Sequence, residues 1–581
     1  MADLRLRVPA GMVSAGLTLG VAELLAAVPD PGSAPLHVLG SGVVDHTPDG
    51  LREWAITTFG TDDKVALYLI MGVIAVLVAG LAGAIERTGR AAGSWLFVVF
   101  GVVTAWVAVT RIGLFAALPT VVGVAVGIYA LRALTRRIDA AVEKSSADSR
   151  TGATLPTGDP EVPTATDGSA STTGGATRGS SRPASDIGET SDAAVEAGAG
   201  SGSRQDVPGI PPGPSAPVAD TNRSPAPERR QVLQGLLVVG GLAVVTGVGG
   251  RVLGARHSDV SGERAAVQLP EPSAPAEPVA PGVDLRVPGL TSYLTPNDDF
   301  YRIDTALIVP QVSKDGWSLR IHGMVDREIR LSWADLASRP AEEHLVTLAC
   351  VSNPVGGDLI GNARWLGYRV DQLLAEARPH PDADMVLSRS ADGWTAGTPL
   401  AVLTDGRDAL LAIGMNGEPL PVQHGYPARL VVPGLYGYVS ATKWVTELEV
   451  TRFDRATAYW TRRGWSALGP IKTGTRIDTP RARGRLQPGR VPIAGVAWAQ
   501  HRGIRAVEVQ IDNGPWQQAR LSEEQSIDTW RQWVFDWDAT SGPHTIRARA
   551  TDGVGETQTA ERRDVIPDGA TGYPSVTFSV G

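Results

Sequence analysis

Cysteine is almost absent from this chain: Cys350 is the single cysteine among 581 residues. One thiol cannot form an intrachain disulfide, so the usual structural role of cysteine in an exported protein is excluded. Two interpretations are left. Cys350 is either a small core residue that packs as a hydrophobe, which composition alone favours, or a soft thiolate that binds a metal or acts as a nucleophile.

Other absences narrow the function further. The net charge of −8 and the pI near 5.7 argue against a nucleic-acid binder. The sequence has no GxGxxG or GxxxxGK[ST] motif, so nucleotide-dependent chemistry is not indicated. The long apolar stretches contain no histidine, and with one cysteine there is no CxxCH motif, so bound haem is disfavoured.

Five apolar stretches are long enough to cross a bilayer, which takes about 20 residues each. They are Pro9–Val28, Val65–Ile85, Ala91–Thr110, Ile112–Leu131 and Gln231–Gly250. The arginines that flank them predict a cytoplasmic N-terminus. The loop from 29 to 63 and everything after the fifth span are then expected outside. Glu23, the one acid within a span, lies near its end and is interpreted as an interfacial carboxylate.

Changes in composition predict six segments. They are a four-span membrane domain (1–140), a disordered linker (141–227), a fifth span (228–254), an extended proline-rich tether (255–285), an α+β domain (286–460) and a β domain (461–581). Residues 145–227 contain no aromatic side chain, which is the basis of the disorder prediction. The pair Arg229-Arg230 has two open interpretations: ordinary positive-inside residues, or a twin-arginine export signal.

In the α+β domain, short strands alternate with short helices. We predict strands at Thr305–Val309, Trp317–His322, Leu345–Cys350 and Ala428–Pro433. Ser332 is a good N-cap for a short helix over 333–336, and Val370–Ala377 is predicted as another helix.

Polar and glycine-containing stretches in this domain are more specific. They are Asp298–Asp304, Thr347–Asp358, Gly361–Trp365, Ser390–Trp394, Gln423–Arg429 and Pro433–Trp444. In this order they resemble the molybdopterin domain of the sulfite-oxidase family, a fold that also occurs in assimilatory nitrate reductases and a periplasmic methionine-sulfoxide reductase. The resemblance covers about 290–581 and is strongest in the Cys350 loop and the run Pro427–Gly434. The spans, linker and arginine pair resemble the layout of actinobacterial membrane-anchored molybdoenzymes.

The resemblance implies a molybdopterin cofactor, with one pterin per molybdenum, and makes Cys350 the thiolate ligand of the metal. A soft thiolate suits such a centre. The implied cofactor contacts come from Tyr301, Arg302, Ser390, His424, Arg429, Gly437, Tyr438, Val439 and Lys443. Taken singly, Arg429 could form a surface salt bridge, His424 could be a loop hydrogen-bonder, and Lys443 is better interpreted as a solvated cation.

Departures from the family pattern concern the substrate. Sulfite oxidases carry arginines just after the ligand cysteine, where this chain has Pro354 and Val355. The family's active-site tyrosine follows a tryptophan by five residues, and here that position, after Trp460, holds Trp465. Two further residues, Arg302 and Arg502, fall near anion-binding arginines of the family. The resemblance therefore implies catalytic roles for Cys350, Arg302, Arg502 and Trp465, in a pocket less suited to a small dianion.

The C-terminal segment alternates in the manner of strands at Val491–Ala499, Val507–Ile511, Trp533–Trp537 and Thr545–Ala550. Short strands at this spacing predict an immunoglobulin-like β-sandwich. Residues 507–516 resemble the family's dimerisation domain, which implies a possible homodimer.

The favoured function is thus a membrane-anchored molybdopterin oxidoreductase on the outer face that transfers oxygen atoms to or from a small oxyanion or oxide. Its electron partner would be a separate carrier or a quinone, because the chain has no second cysteine and no haem motif. One alternative is a reductase of S- or N-oxides fed by quinol. An alternative of a different class is a cofactor-free binding protein on a membrane tether.

Overall fold

The structure is a computed structural model that describes residues 4–48, 50–51, 54, 58–59, 63–151, 227–481 and 485–581. These form two compact units. One comprises Met1–Arg136 and Gly235–Gly581, and the other is Arg137–Gln234. The predicted disordered linker lies outside the described residues between 152 and 226.

Ten α-helices have both of their ends in the described residues. They are α1 (Leu4–Ala26), α2 (Pro35–His46), α3 (Asp63–Ile85), α4 (Ala92–Arg111), α5 (Leu118–Thr151), α6 (Pro227–Ser258), α7 (Ser261–Ala266), α8 (Trp333–Ala337), α9 (Val370–Ala377) and α10 (Leu400–Thr404). Five of them, α1 and α3–α6, are long and apolar enough to cross a membrane. These correspond to the five predicted spans, and the chain has the features of a membrane protein.

Two parts of the membrane region differ from the predictions. Helix α2 folds within the loop from 29 to 63, where the sequence analysis placed no element. The linker prediction is wrong for residues 141–151, because α5 continues to Thr151. That stretch contains alanine, glutamate and lysine, which have high helix propensity.

Nineteen strands lie in the described residues, and the first ten belong to the middle of the chain. They are β1 (Ser318–Gly323), β2 (Ile329–Ser332), β3 (Glu342–Ala349), β4 (Ile360–Arg369), β5 (Met385–Ser390), β6 (Thr395–Pro399), β7 (Leu410–Met415), β8 (Glu418–Pro419), β9 (Arg429–Val431) and β10 (Val445–Thr451). One sheet has the order β2-β1-β10-β5-β6. A second has the order β3-β4-β7-β8, with β9 paired to β7. The second sheet carries the candidate site.

Local sequence signals explain several of these elements. Helix α8 begins with a capping box, in which Ser332 and Asp335 bond each other's backbone N–H groups. Helix α9 has the predicted bounds, and its apolar residues Val370, Leu373, Leu374 and Ala377 are all buried. The predicted strand Thr305–Val309 is wrong. The carbonyl of Ala306 accepts a hydrogen bond from Lys64 Nζ (2.7 Å) instead of pairing with a strand.

The other nine strands form the C-terminal domain. They are β11 (Gly474–Thr479), β12 (Arg485–Leu486), β13 (Gly489–Trp498), β14 (Ile504–Ile511), β15 (Trp516–Gln518), β16 (Arg520–Leu521), β17 (Arg531–Ala539), β18 (Gly542–Asp552) and β19 (Ser575–Val580). They make two sheets, β11-β13-β17-β16 and β12-β19-β18-β14-β15. Both sheets contribute to one apolar core that includes Ile493, Trp533 and Phe578.

The segment predicted as a tether lies along the α+β domain. In α7, Glu263 accepts hydrogen bonds from Ser313 Oγ (2.6 Å) and Tyr426 Oη (2.7 Å). Farther along, Ala274 forms a β-bridge with Glu342, at the start of β3. The domain is therefore held close to the end of α6.

Candidate molybdopterin site

Cys350 is the first residue after β3, in the hairpin loop that joins β3 to β4. Its N–H donates to the carbonyl of Leu359 (2.9 Å), and the side chain of Asn353 accepts from Leu359 N–H (3.1 Å), so both ends of the loop are fixed. Burial raises the pKa of the Cys350 thiol, while hydrogen bonds from Ser352 oppose that rise. The fold thus supplies one half-buried thiol at a sheet edge.

An aromatic cluster lies beside this thiol. Tyr301 stacks on Phe300 at a ring-centre distance of 5.3 Å, and Phe300 packs edge-on against Trp365 (5.7 Å) and His424 (5.6 Å). Burial raises the pKa of Tyr301, with the nearby Cys350 adding to the rise and Arg429 opposing it. Four sequence-predicted residues, Tyr301, Cys350, His424 and Arg429, are therefore brought together.

Arg429 is the unusual member of the cluster, because only 5% of its surface is exposed. Its guanidinium donates to the carbonyl of His424 (3.1 Å) and lies 5.1 Å from the ring centre of Trp365. Within the described part of the chain, no carboxylate lies within 4.0 Å of it. Burial lowers the pKa of Arg429 to about 10, so it is still a cation at neutral pH. A buried cation without a counter-ion is costly and suits an anionic ligand.

His424 is held as a neutral ring. Its Nε2 donates to the carbonyl of Asn297 (3.1 Å), since that carbonyl can only accept, and Nδ1 is left as an acceptor. Burial is the main reason why the pKa of His424 is lowered to about 4, and the nearby cations Arg429 and Lys443 contribute to the same shift. The site therefore presents a fixed acceptor nitrogen next to a buried guanidinium.

This lowered pKa predicts an acid-sensitive stability. The folded pKa, about 4, is below the unfolded value of about 6.5, so the contribution is complete above pH 6.5 and lost as pH falls towards 4. His424→Gln keeps a donor for the Asn297 carbonyl but cannot titrate. Between those pH values we expect the wild type to lose on the order of 3 kcal/mol more stability than the variant. Thermal unfolding at both pH values measures the difference, and equal losses would contradict the assignment.

Lys443 is not a solvated cation, so that interpretation is wrong. Its Nζ donates to Asp304 Oδ2 (2.9 Å) and to the carbonyl of Gln423 (3.2 Å). Asp304 also accepts from Arg302 Nε (2.8 Å) and from Lys64 Nζ (3.0 Å) on α3. Burial lowers the pKa of Lys443 to about 8, and Asp304 opposes that fall. The sequence analysis did not single out Asp304, because two of its three partners, Lys443 and Lys64, are distant in sequence.

Asp304→Asn is expected to be strongly destabilising, because it leaves buried Lys443 without a counter-charge. Removing one member of a buried ion pair costs about 3–5 kcal/mol. Burial raises the pKa of Asp304, but Lys443, Arg302 and Lys64 outweigh this and lower it, so its contribution persists until strongly acidic pH. Thermal unfolding measures the loss. As a control, Asp315→Asn removes an exposed partner of Lys314 and should cost no more than about 0.5 kcal/mol.

The predicted glycine segment forms a 3-10 turn, Gly437–Val439, beside the Cys350 strand. Tyr438 donates to the carbonyl of Ser466 (2.8 Å), and its ring packs against Trp465 at 5.8 Å. Trp465 in turn packs against Trp460 at 6.1 Å. Tyr438, Trp465 and Trp460 therefore form one aromatic cluster next to this turn, here called the aromatic rim.

The same rim contacts the membrane domain. Arg463 lies 3.6 Å from Asp45 on α2, and its guanidinium stacks over the ring of Tyr459 at 3.6 Å. Asp45 also pairs with Arg111, at the end of α4 (2.6 Å). Together with the contact between Lys64 and Asp304, this places one end of the helical bundle against segments near the candidate site.

Two predicted residues have other neighbours. Ser390 ends β5, where its hydroxyl accepts from the N–H of Asp392 (3.5 Å) in its own turn. Arg502 pairs with buried Asp552 (2.9 Å) in the C-terminal domain. Tyr436, which the sequence analysis did not single out, connects Arg502 with the site. Burial raises the pKa of Tyr436 to about 12, with Cys350 adding to the rise and Arg502 opposing it.

These residues fit a molybdopterin. The cationic side chains of Arg429 and Lys443 suit a phosphate. The backbone at Gly425 packs closely against both residues: its φ is +114°, and a Cβ at this position would lie 3.0 Å from the Arg429 Cβ and 3.2 Å from the Lys443 Cα. Among the residues that the structure describes, no group of three or more His, Cys, Asp and Glu side chains could hold a metal ion. A metal bound here would therefore depend on the Cys350 thiolate and on ligands that come with its cofactor.

Comparisons with known proteins identify the domain that contains Cys350. A family model described as the oxidoreductase molybdopterin binding domain matches residues 306–460. Mitochondrial sulfite oxidase of Rattus norvegicus is 31% identical over 289 residues, which cover 42% of this chain and 52% of that protein. The chain thus spans about half the length of such curated relatives. The uncharacterized oxidoreductase YuiH of Bacillus subtilis is 33% identical over 153 residues, 26% of this chain and 74% of that protein.

Among solved structures, the sulfane dehydrogenase SoxCD from Paracoccus pantotrophus is 23% identical, with a TM-score of 0.44 over 49% of this chain and 81% of that one. The site and the matched family model define residues 306–460 as a molybdopterin-binding domain of the oxidoreductase class. The chain belongs to the sulfite-oxidase family of molybdopterin oxidoreductases, and molybdopterin is the cofactor that this membership implies.

Proposed function

We propose that this protein is a membrane-anchored molybdopterin oxidoreductase that catalyses oxygen-atom transfer on the outer face of the membrane, with Cys350 as the protein ligand of molybdenum. One observation carries the proposal. The single thiol of the chain lies in the matched domain, in the same cluster as Tyr301 and a buried guanidinium, Arg429, that has no carboxylate partner among the described residues.

The roles of the side chains follow from their contacts. Arg429 and Lys443 would bind the pterin phosphate, and His424 would offer Nδ1 as an acceptor while Nε2 stays bonded to Asn297. Tyr301, whose raised pKa keeps its hydroxyl protonated, can donate a hydrogen bond in the site. Held by Cys350, molybdenum would supply the two-electron redox chemistry. The aromatic residues Trp460 and Trp465 would exclude water from one side.

The proposed orientation has structural support at the two ends of α3. Its first turn holds Lys64, which contacts Asp304 of the catalytic domain. The helix rises about 33 Å from Asp63 to Ile85, and Arg87 lies in the turn just beyond that second end. Arg90, Arg132 and Arg136 lie at this second end too. Arginines concentrate on the cytoplasmic side, so the catalytic domain would lie outside.

The twin-arginine interpretation gives a specific prediction. Arg229 and Arg230 belong to the first turn of α6, and changing both to lysine keeps their charge. If this pair is an export signal, the catalytic domain should stay inside, because that pathway reads arginine rather than positive charge. Protease accessibility in intact cells measures export, and Arg256→Lys, at the other end of α6, is the control. Normal export of the double variant would rule out the export signal, and Arg229 and Arg230 would then be interpreted as ordinary positive-inside residues.

The substrate class follows from the loop after Cys350. Residues 351–358 contain no cation, and the aromatic rim consists of Tyr438, Trp460 and Trp465. These features favour a reductase of S- or N-oxides, fed by quinol, over an oxidase of a small dianion. The contacts of Asp45 and Lys64 with the site segments fit an electron donor that arrives from the membrane.

A substrate screen tests both functions. Purified protein is assayed with sulfite, sulfoxides and N-oxides, using artificial electron carriers, after its molybdenum and pterin contents are measured. Turnover of oxides but not sulfite would support the reductase. Absence of molybdenum from protein made in a competent host would exclude both functions and favour the tethered binding protein.

Three finer assignments belong to the same proposal. The two-sheet C-terminal domain is assigned an immunoglobulin-like fold, and it is proposed to mediate a homodimer. The electron partner is a separate carrier or a quinone. Sedimentation of the purified protein tests the homodimer, and reduction by a quinol analogue tests the electron partner.

A further inference from the structure

A basic cavity lies at the end of the helical bundle farther from the catalytic domain. The turn between α3 and α4 is tight: Arg87 N–H donates to the Arg90 carbonyl (3.1 Å), and Arg90 N–H donates back to the Arg87 carbonyl (3.0 Å). Two residues paired in this way project their side chains from the same face. The turn therefore holds the two arginines close together, and the Arg87 guanidinium is fixed because it donates to the carbonyls of Ala84 (2.7 Å) and Glu86 (2.8 Å).

Helix α5 supplies the opposite wall. Arg132, Thr135 and Arg136 are spaced i, i+3 and i+4, so they lie on one face of the helix. With Arg87, Arg90 and buried Glu86 they line a cavity of about 170 Å³. Four arginines around one small cavity is a larger concentration of charge than a positive-inside bias requires.

The charge in this cavity is not balanced. Glu86 accepts from the N–H and the hydroxyl of Ser94 (both 2.8 Å), and Arg132 lies 3.9 Å from it. Within the described ranges, Arg87, Arg90 and Arg136 have no carboxylate within 4.0 Å. One carboxylate against four guanidiniums leaves the cavity strongly positive, and the fixed turn holds that charge in place before any ligand arrives.

We propose that this cavity binds the phosphate of an anionic glycerophospholipid. Guanidinium groups bind phosphate through paired hydrogen bonds, and basic pockets between spanning helices suit anionic lipid headgroups. A lipid fits better than free phosphate because the neighbouring helices expose apolar side chains to the bilayer. Leu81 and Ile85 end α3, and Trp95 begins α4 with 65% of its surface exposed. The acyl chains can lie along these residues, with Trp95 at the level of the headgroups.

The test uses the full-length protein in nanodiscs and in detergent. Native mass spectrometry should detect phosphatidylglycerol bound to the wild type, and phosphatidylglycerol nanodiscs should raise the unfolding temperature above that in phosphatidylcholine. Arg90→Gln should weaken binding about tenfold or more, since a charged hydrogen bond contributes about 1.5–3 kcal/mol. Arg5→Gln is the matched control, because Arg5 is exposed at the same end of the bundle, on α1, but does not line the cavity.

Three outcomes would overturn the proposal. Equal losses of phosphatidylglycerol binding in Arg90→Gln and Arg5→Gln would mean that the lipid is held only by diffuse electrostatic attraction. Equal retention of phosphatidylcholine would mean no selectivity for a negative headgroup. Equal stabilisation by inorganic phosphate in detergent would identify a free-anion site. Arg90→Lys, which keeps the charge, should retain most of the binding and checks that the turn still folds.

Discussion

Cys350→Ser is expected to abolish turnover while leaving the fold intact. The substitution replaces one sulfur by oxygen at the end of β3, so packing and the hydrogen bond from Cys350 N–H to Leu359 are kept. A hydroxyl is a harder and far weaker ligand than a thiolate for a metal coordinated by sulfur. Loss of a ligand should exceed the roughly 100-fold that loss of an outer hydrogen-bond partner can cost. Steady-state turnover, molybdenum content and the unfolding temperature are the measurements.

Ser352→Ala provides the matched comparison for this experiment. Ser352 only donates to the Cys350 sulfur and lowers the pKa of its thiol, so the variant should keep its molybdenum and lose no more than about 100-fold in rate. Normal turnover in Cys350→Ser would rule out the ligand role. Loss of the folded state in that variant would instead return Cys350 to the interpretation of a core residue.

Because Cys350 is the single cysteine, thiol labelling gives a second readout that does not depend on activity. Because the chain has one thiol, a maleimide reagent can label each molecule once. Apo-protein should be labelled when the reagent enters the site, whereas cofactor-loaded protein should be protected, since a metal-bound thiolate is no longer a free nucleophile. Equal labelling of the two forms, measured by intact mass, would contradict a bond between Cys350 and the metal.

Local patterns predicted much of the fold and part of the site. The capping box of α8 and the amphipathic helix α9 depend on neighbours within a few residues, and their predicted positions agree with the structure. The membrane spans follow from length and apolar composition, which a bilayer requires whatever the tertiary contacts. The Cys350 loop was found through a motif, because its residues are contiguous and their spacing is distinctive.

Features that depend on distant partners could not be predicted in this way. Residues 305–309 have the alternation of a strand, but Lys64, about 240 positions earlier, takes the backbone carbonyls of Asp304 and Ala306. The charge of Lys443 suggested solvent exposure, yet Asp304 compensates it inside the protein. The ion pair between Arg111 and Asp45 could not be predicted either, because Asp45 lies on the unpredicted helix α2.

Arg429→Met is expected to separate cofactor binding from folding. Methionine keeps an apolar stem against Trp365 but removes the buried charge. For the apo-protein, two effects oppose each other. Burial no longer penalises an uncompensated cation, but the carbonyls of His424 and Ala441 lose their donors, at about 1–3 kcal/mol each. The unfolding temperature of apo-protein should therefore change by only a few degrees, since each kcal/mol shifts it by about 2–4 °C in a domain of 150–250 residues.

Cofactor content should respond in a different way, because the phosphate loses its charged partner and nothing offsets that loss. A charged hydrogen bond contributes about 1.5–3 kcal/mol, so pterin retention during purification should fall about 10-fold or more. Arg320→Met is the control, since Arg320 is already paired with Glu328 at the surface and its loss should leave pterin content unchanged. Full pterin content in Arg429→Met would show that the unpaired guanidinium serves the fold, and the anionic end of the cofactor would then have to be held mainly by Lys443.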